Sequence, residues 1–199
     1  MRTKSSCISA NDAGRYVLRQ AAPEDTAGIW RLISSVLLDF GIVADRRTTD
    51  RDLADLGAHY DACGGVFFVL LDARTVIGTV ALRPGPTEAC ELCRMYLAHK
   101  YRGRGLGRRL FEHAMTEARR RGFQEVFLKT ASVLTTAISL YERAGFQHVP
   151  APRACGNCDR MMRMRLAQPG EALPSGTAAR RTSRPPGGNP GTISGRCPP

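Results

Sequence analysis

The stretch 101–109 reads Tyr-Arg-Gly-Arg-Gly-Leu-Gly-Arg-Arg, and its residue types could do chemistry. Three glycines at alternate positions strip side-chain bulk from the backbone. An apolar run ends just before them at Leu97, and a helical pattern begins among them. A glycine loop between a strand and a helix bares backbone N–H groups at the positive end of the helix dipole, which makes an anion site. Arg102, Arg104, Arg108 and Arg109 add fixed positive charge. The spacing narrows the choice of phosphate. No Lys-Ser/Thr pair follows the glycines, which argues against a nucleoside triphosphate with magnesium. Gly103, Gly105 and Gly107 are spaced two and two, unlike the Gly-x-Gly-x-x-Gly of a dinucleotide fold.

Two Cys-x-x-Cys pairs also invite a chemical reading, Cys90/Cys93 and Cys155/Cys158. The first pair lies in a strand pattern. Residues three apart on a strand point to opposite faces, so this pair does not suit a shared metal. The second lies in a turn, where a metal site, a redox pair and plain small thiols all fit. Seven cysteines without a secretion signal predict free thiols. No metal is assigned.

The elements that must position the glycine loop follow from periodicity. Tyr16-Val17-Leu18 marks a first strand. Ala22-Pro23-Glu24-Asp25 reads as a helix start, and Ile29, Leu32, Ile33, Val36 and Leu37 give that helix an apolar face up to Gly41. A second helix is expected over 50–60, with Leu53 and Leu56 inward. Residues 66–71 form a continuous apolar strand, buried on both faces, and turn at 72–74 into a hairpin partner over 75–82. Residues 88–97 form the strand that feeds the loop. Gly105 or Leu106 opens the next helix, which Gly122 caps after Arg119-Arg120-Arg121 at its negative end. A strand over 123–130 follows. A further helix, capped by Ser132 or Thr135 and closed by Gly145, leads into a strand at Phe146. After an irregular turn over 150–157, a last strand alternates Met162, Met164 and Leu166 with arginines. The order is mixed α/β, a hairpin meander followed by βαβ units.

At 199 residues the chain suits one sizeable core. That core is expected within 15–167, with disordered ends at 1–14 and 168–199. The net charge of +11 favours an anionic ligand or partner without choosing among a coenzyme, a nucleic acid and an acidic surface. The basic tail holds no aromatic residue, so it lacks the stacking groups of single-strand binders. No window approaches the ~20 apolar residues of a membrane span, and the N-terminus lacks a signal-peptide core. A cytoplasmic protein is the default reading.

Three segments in register carry a family resemblance. They are Glu91-Leu92-Cys93-Arg94-Met95-Tyr96-Leu97, then Arg102-Gly103-Arg104-Gly105-Leu106-Gly107, then Leu140-Tyr141-Glu142-Arg143-Ala144-Gly145-Phe146. Their order and spacing resemble the GNAT superfamily, the acetyl-CoA-dependent N-acetyltransferases, and most of all its small-molecule and amino-acid branch. The element order extends the match to about 16–166. The resemblance implies a central, mostly antiparallel twisted sheet of about seven strands, splayed near the acetyl-CoA site, with four helices.

It also implies roles. The pantetheine arm of acetyl-CoA would pair with the backbone of Met95, Tyr96 and Leu97. The pyrophosphate would sit on the N–H groups of Gly103, Arg104, Gly105, Leu106, Gly107 and Arg108, beside Arg102. Tyr141 matches the family's general acid, which protonates the leaving thiolate. Glu91 is in register with a strand glutamate that some members use as general base. Its alternative is a structural carboxylate that pairs with a local arginine such as Arg94 or helps position the acceptor. The N–H of Tyr96 or Leu97 would serve the oxyanion.

Two departures stand out. Leu134 replaces a coenzyme-contacting asparagine of many relatives, and Lys129 stands where some protein-acetylating relatives carry glutamate. An acceptor with a carboxylate would need a cation, for which Lys129, Arg46, Arg47 and Arg94 are candidates.

The reaction implied is acetyl transfer to the primary amine of a small molecule or amino acid by direct attack in a ternary complex. The alternatives are an antibiotic or polyamine acceptor, served by Asp39, Asp45, Asp50 and Asp52, or a non-catalytic acyl-CoA sensor. The partner expected is a small-molecule amine acceptor, with no membrane and no nucleic acid; a homodimer is left open.

Overall fold

The computed structural model describes residues 14–150 and 158–167. The expectations for residues 1–13, for the turn at 151–157 with Cys155, and for the tail at 168–199 lie outside the described residues. In chain order the elements are β1 (Tyr16–Gln20), α1 (Thr26–Leu38), α2 (Leu56–His59), β2 (Val66–Asp72), β3 (Thr75–Pro84), β4 (Ala89–Leu97), α3 (Leu106–Arg120), β5 (Glu125–Thr130), α4 (Thr135–Arg143), β6 (Gln147–Val149) and β7 (Arg160–Arg165). The seven strands form one sheet in the order β1-β2-β3-β4-β5-β7-β6. Every pairing is antiparallel except β4 with β5.

Each face of the sheet has its own core. Val66, Phe68 and Leu70 of β2 pack toward α3 and α4 with Leu106, Leu110, Phe111 and Tyr141. Phe67, Val69 and Leu71 pack toward α1 and α2 with Ile29, Ile33, Leu56 and Tyr60. This explains the unbroken apolar run of β2, since a strand covered on both faces has no wet side on which to place polar residues.

The second helix departs from the expectation over 50–60. A 3₁₀ turn at Arg51–Leu53, the four-residue α2 and another 3₁₀ turn at Asp61–Cys63 replace one continuous helix. Asp55 ends its first part by turning its side chain to accept from the Ala58 N–H at 2.9 Å, which caps α2. Leu53 and Leu56 are inward as expected.

Two irregularities shape the region around the glycine loop. The β4–β5 ladder pairs only Ala89 with Glu125, Cys90 with Val126 and Glu91 with Phe127. Beyond it the two strands run on without pairing, so the sheet splays. The second is a bulge in β4: Thr79 pairs with Tyr96 and Ala81 with Cys93, so Val80 of β3 is matched by two residues of β4, Arg94 and Met95. Arg94 sits in the bulge at φ 52, and the Thr79 hydroxyl donates to its carbonyl at 2.8 Å. The extra residue turns the strand over. Glu91 and Cys93 share one face, whereas Met95 and Leu97 pack on the α3 and α4 side.

The facing of Cys90 and Cys93 agrees with the strand reading, because Cys90 packs on the α3 and α4 side and Cys93 on the other. Both are free thiols. Cys63 departs from the expectation of free thiols, being disulfide-bonded.

Candidate active site

The glycine loop is anchored at its start. Tyr101 is buried, donates its hydroxyl to Asp72 at 2.8 Å and meets the Tyr16 ring edge-on. Gly103 and Gly105 follow at φ 75 and 77. That left-handed backbone strains any residue with a Cβ, which is why glycine stands there. It lets the chain reverse directly into α3. The first helical hydrogen bond of α3 runs from the Arg109 N–H to the Gly105 carbonyl at 3.0 Å. The N–H groups just upstream are the ones a helix start leaves for an outside acceptor.

The loop opens onto a cavity of about 770 Å³. Gly103, Gly105, Gly107 and Arg108 line one end, and Met95, Tyr96 and Leu97 of β4 line its floor. Leu134, Ala137, Leu140 and Tyr141 of the α4 region form the facing wall, and Phe40 closes the side beyond α1. Because β4 is unpaired on its β5 side past Glu91, that backbone edge is open to strand-like pairing with a ligand. Arg102 reaches the Leu97 carbonyl at 3.3 Å and lies 3.8 Å from Asp39. The cavity therefore combines an anion cradle, an exposed β edge and an apolar wall. A phosphate-tipped chain with a polar amide arm and an apolar end fits these features in that order.

Tyr141 lies along this cavity. Its hydroxyl is 3.6 Å from the Met95 sulfur. Burial raises its pKa above the ordinary tyrosine value, with Tyr96 and Cys93 adding to the effect, so it remains a proton donor throughout the neutral range. Burial also pushes Tyr96 up to about 12.

Most of the sequence-predicted site residues come together here. Met95, Tyr96, Leu97, Arg102, Gly103, Gly105, Gly107, Arg108 and Tyr141 all line the cavity. Leu106 turns its side chain into the core and leaves only its backbone to the loop. Arg104 turns aside, its guanidinium 3.4 Å from the Tyr16 hydroxyl and over the Tyr101 ring. Arg108 pairs with Glu112 at 2.6 Å while lining the cavity.

Glu91 sits on the opposite face of the sheet, at the last paired position before the splay. One carboxylate oxygen accepts from Arg83 at 2.8 Å, and the other is 3.6 Å from Lys129. Arg94, the partner expected from sequence, is elsewhere. It donates to Asp50 at 2.5 Å, to Asp52 through two nitrogens, and to the Thr49 carbonyl at 2.8 Å. Tyr60 completes the cluster by donating to Asp52 at 2.5 Å. Burial works against the charge on Arg94, but Asp52 outweighs it and raises the guanidinium pKa. Sequence reasoning missed this cluster because Arg94 lies more than forty residues from Asp50 and Asp52. It removes Asp50 and Asp52 from the expected acidic pocket for a polycation, and Arg94 from the candidates for a free cation.

A mixed sheet splayed between two parallel strands, with a glycine anion loop on one side and a tyrosine across from it, defines an acyl-coenzyme A transferase class of site. The model of the Acetyltransferase (GNAT) family matches residues 30–146. The chain is 34% identical to the uncharacterized N-acetyltransferase YjgM of Escherichia coli K12, over 74% of this chain and 92% of that one. It is 36% identical to the N-acetylaspartate synthetase of Rattus norvegicus, over 50% of this chain and 34% of the relative. Among solved structures, an acetyltransferase of the GNAT family from Staphylococcus aureus Mu50 superposes with TM-score 0.72 at 19% identity, covering 76% of this chain and 99% of that one. The yncA protein of Salmonella typhimurium, solved with its cofactor acetyl-CoA, superposes with TM-score 0.63 at 21% identity, over 79% and 98%. This chain belongs to the GNAT family and is an acyltransferase. Among the described residues, no helix is long and apolar enough to cross a membrane.

Proposed function

We propose that the protein transfers the acetyl group of acetyl-CoA to the primary amine of a small molecule or amino acid, by direct attack within a ternary complex. The observation that carries this is the single cavity joining the glycine loop to Tyr141. The acetyl-CoA bound to the yncA neighbour and the amino-acid product in the name of the rat relative support the same reading.

Bound acetyl-CoA would supply the thioester carbonyl. The N–H groups of Gly103–Arg108 would hold its pyrophosphate and the β4 edge from Met95 to Leu97 its amide arm. The N–H of Tyr96 or Leu97 would serve as donor for the oxyanion. The neutral amine forms the new C–N bond as the C–S bond breaks. The Tyr141 hydroxyl protonates the departing thiolate, and the amine's surplus proton passes toward Glu91, directly or through water. No cysteine needs to carry the acetyl group.

The test is a calorimetric titration with acetyl-CoA, paired with a thiol-release assay over amino acids, diamines and aminoglycosides. Micromolar binding with turnover on one amine class supports the reading. Binding without turnover on any amine replaces it with a sensor, and no binding removes the coenzyme from the cavity.

A further inference from the structure

The face of the sheet opposite the coenzyme cavity carries three ionic side chains at the apex of the splay: Arg83 on β3, Glu91 on β4 and Lys129 on β5. Their positions differ in a telling way. The Glu91 side chain is 11% exposed, whereas Arg83 and Lys129 are 37% and 32% exposed. The acid is the buried member of the group, and the cations form its accessible rim. Arg83 satisfies Glu91 with a hydrogen bond at 2.8 Å. Lys129, at 3.6 Å, is beyond hydrogen-bond length and keeps donors for another acceptor. It also lies two residues past Phe127, the last position at which β5 pairs with β4.

The other candidate cations lie outside this three-residue group. Arg94 is held by Asp50 and Asp52, and Arg46 stacks over Trp30 at 4.2 Å. An incoming molecule at this apex therefore meets a cation at the rim and a carboxylate behind it. A diamine or polycation would meet the wrong charge first. A molecule with an amine beside a carboxylate matches both, with the amine toward Glu91 and the carboxylate toward Lys129.

We propose that Lys129, backed by Glu91 and Arg83, selects the acceptor, and that the acceptor class is an amine bearing its own carboxylate, as in a free amino acid; this rests on the acetyl-transfer reading above. The experiment compares amino acids with their own carboxamides. In the wild type, kcat/KM for the acid exceeds that for the carboxamide by about tenfold or more. Lys129→Ala brings the ratio to about one, and Lys129→Arg restores it. A wild type that prefers carboxamides, or a ratio that survives Lys129→Ala, overturns the proposal. The same ratio is read without turnover by titrating N-acetyl amino acids and N-acetyl carboxamides into the CoA-loaded protein. If no amine is acetylated, the transferase reading fails, while equal affinity for those two ligand sets would overturn the acceptor proposal alone. Retained acetyl-CoA affinity in each variant shows that it is folded.

Discussion

Tyr141 and Glu91 lie on opposite faces of one sheet, and a gap between β4 and β5 opens just past Glu91. Around that gap burial sets the acid–base character of the side chains. It pushes the thiols of Cys90 and Cys93 up to about 12, with the Cys93 charge adding at Cys90 and the Glu91 charge adding at Cys93. This has a consequence for stability. An unfolded thiol begins to lose its proton near its ordinary pKa of about 8.5. The folded protein keeps both protons until near 12, so above pH ~8.5 the native state binds more protons than the unfolded state and stability falls as pH rises. Each thiol contributes up to about 1.4 kcal/mol per pH unit in that window. The urea midpoint should therefore drop between pH 7.5 and 10, and drop less in a Cys90→Ala/Cys93→Ala double variant. A midpoint that holds steady to pH 10 would show that these thiols titrate normally.

At the scale of elements, the β4 bulge is the decisive feature. Without it Met95 and Leu97 would share the face of Glu91 and Cys93, and the Tyr141–Met95 contact at 3.6 Å could not form. Arg94 holds the bulge to the segment between α1 and α2 through Asp50 and Asp52. Arg94→Ala leaves two buried carboxylates without their cation and should cost about 3–5 kcal/mol in denaturant unfolding. Arg94→Lys should recover only part of this, because an ammonium cannot reproduce the guanidinium fork. A change below 1 kcal/mol would mean that the cluster is not what fixes the strand.

Much of this arrangement was legible in the sequence. The glycine spacing located the turn and the start of α3, and the apolar run 66–71 gave β2 and its double burial. The Leu-Tyr-x-x-x-Gly-Phe segment pointed to Tyr141, which lines the cavity. Strand periodicity did not show the bulge, since it depends on how β4 pairs with β3 and not on alternation within β4. The expected partner of Glu91 was also misplaced. Arg94 is nearer in sequence, but the register sets Arg83 directly opposite Glu91. The apolar pattern of 50–60 suited one helix, yet the Asp55 cap divides it.

For the whole molecule, the charge of +11 gives the arginines around the cavity a background field of the same sign. Acetyl-CoA is a polyanion, so its association should be steered by that field and screened by salt. Raising ionic strength from 0.05 to 0.5 M shortens the Debye length from roughly 14 to about 4 Å and should weaken acetyl-CoA binding several-fold, mainly through slower association. Stopped-flow binding kinetics measure this directly. Rates that do not change with salt would confine the electrostatic contribution to the loop itself.

The most direct test of the account is the turnover of Tyr141→Phe with acetyl-CoA and the best amine acceptor. The substitution removes one hydroxyl from the cavity and leaves the aromatic packing against Phe111 and Phe146 in place. Loss of a general acid predicts that kcat falls by roughly 10²–10⁴-fold, with acetyl-CoA affinity unchanged within about twofold. A variant that turns over at the wild-type rate would contradict the assignment of Tyr141 as the group that protonates the leaving thiolate.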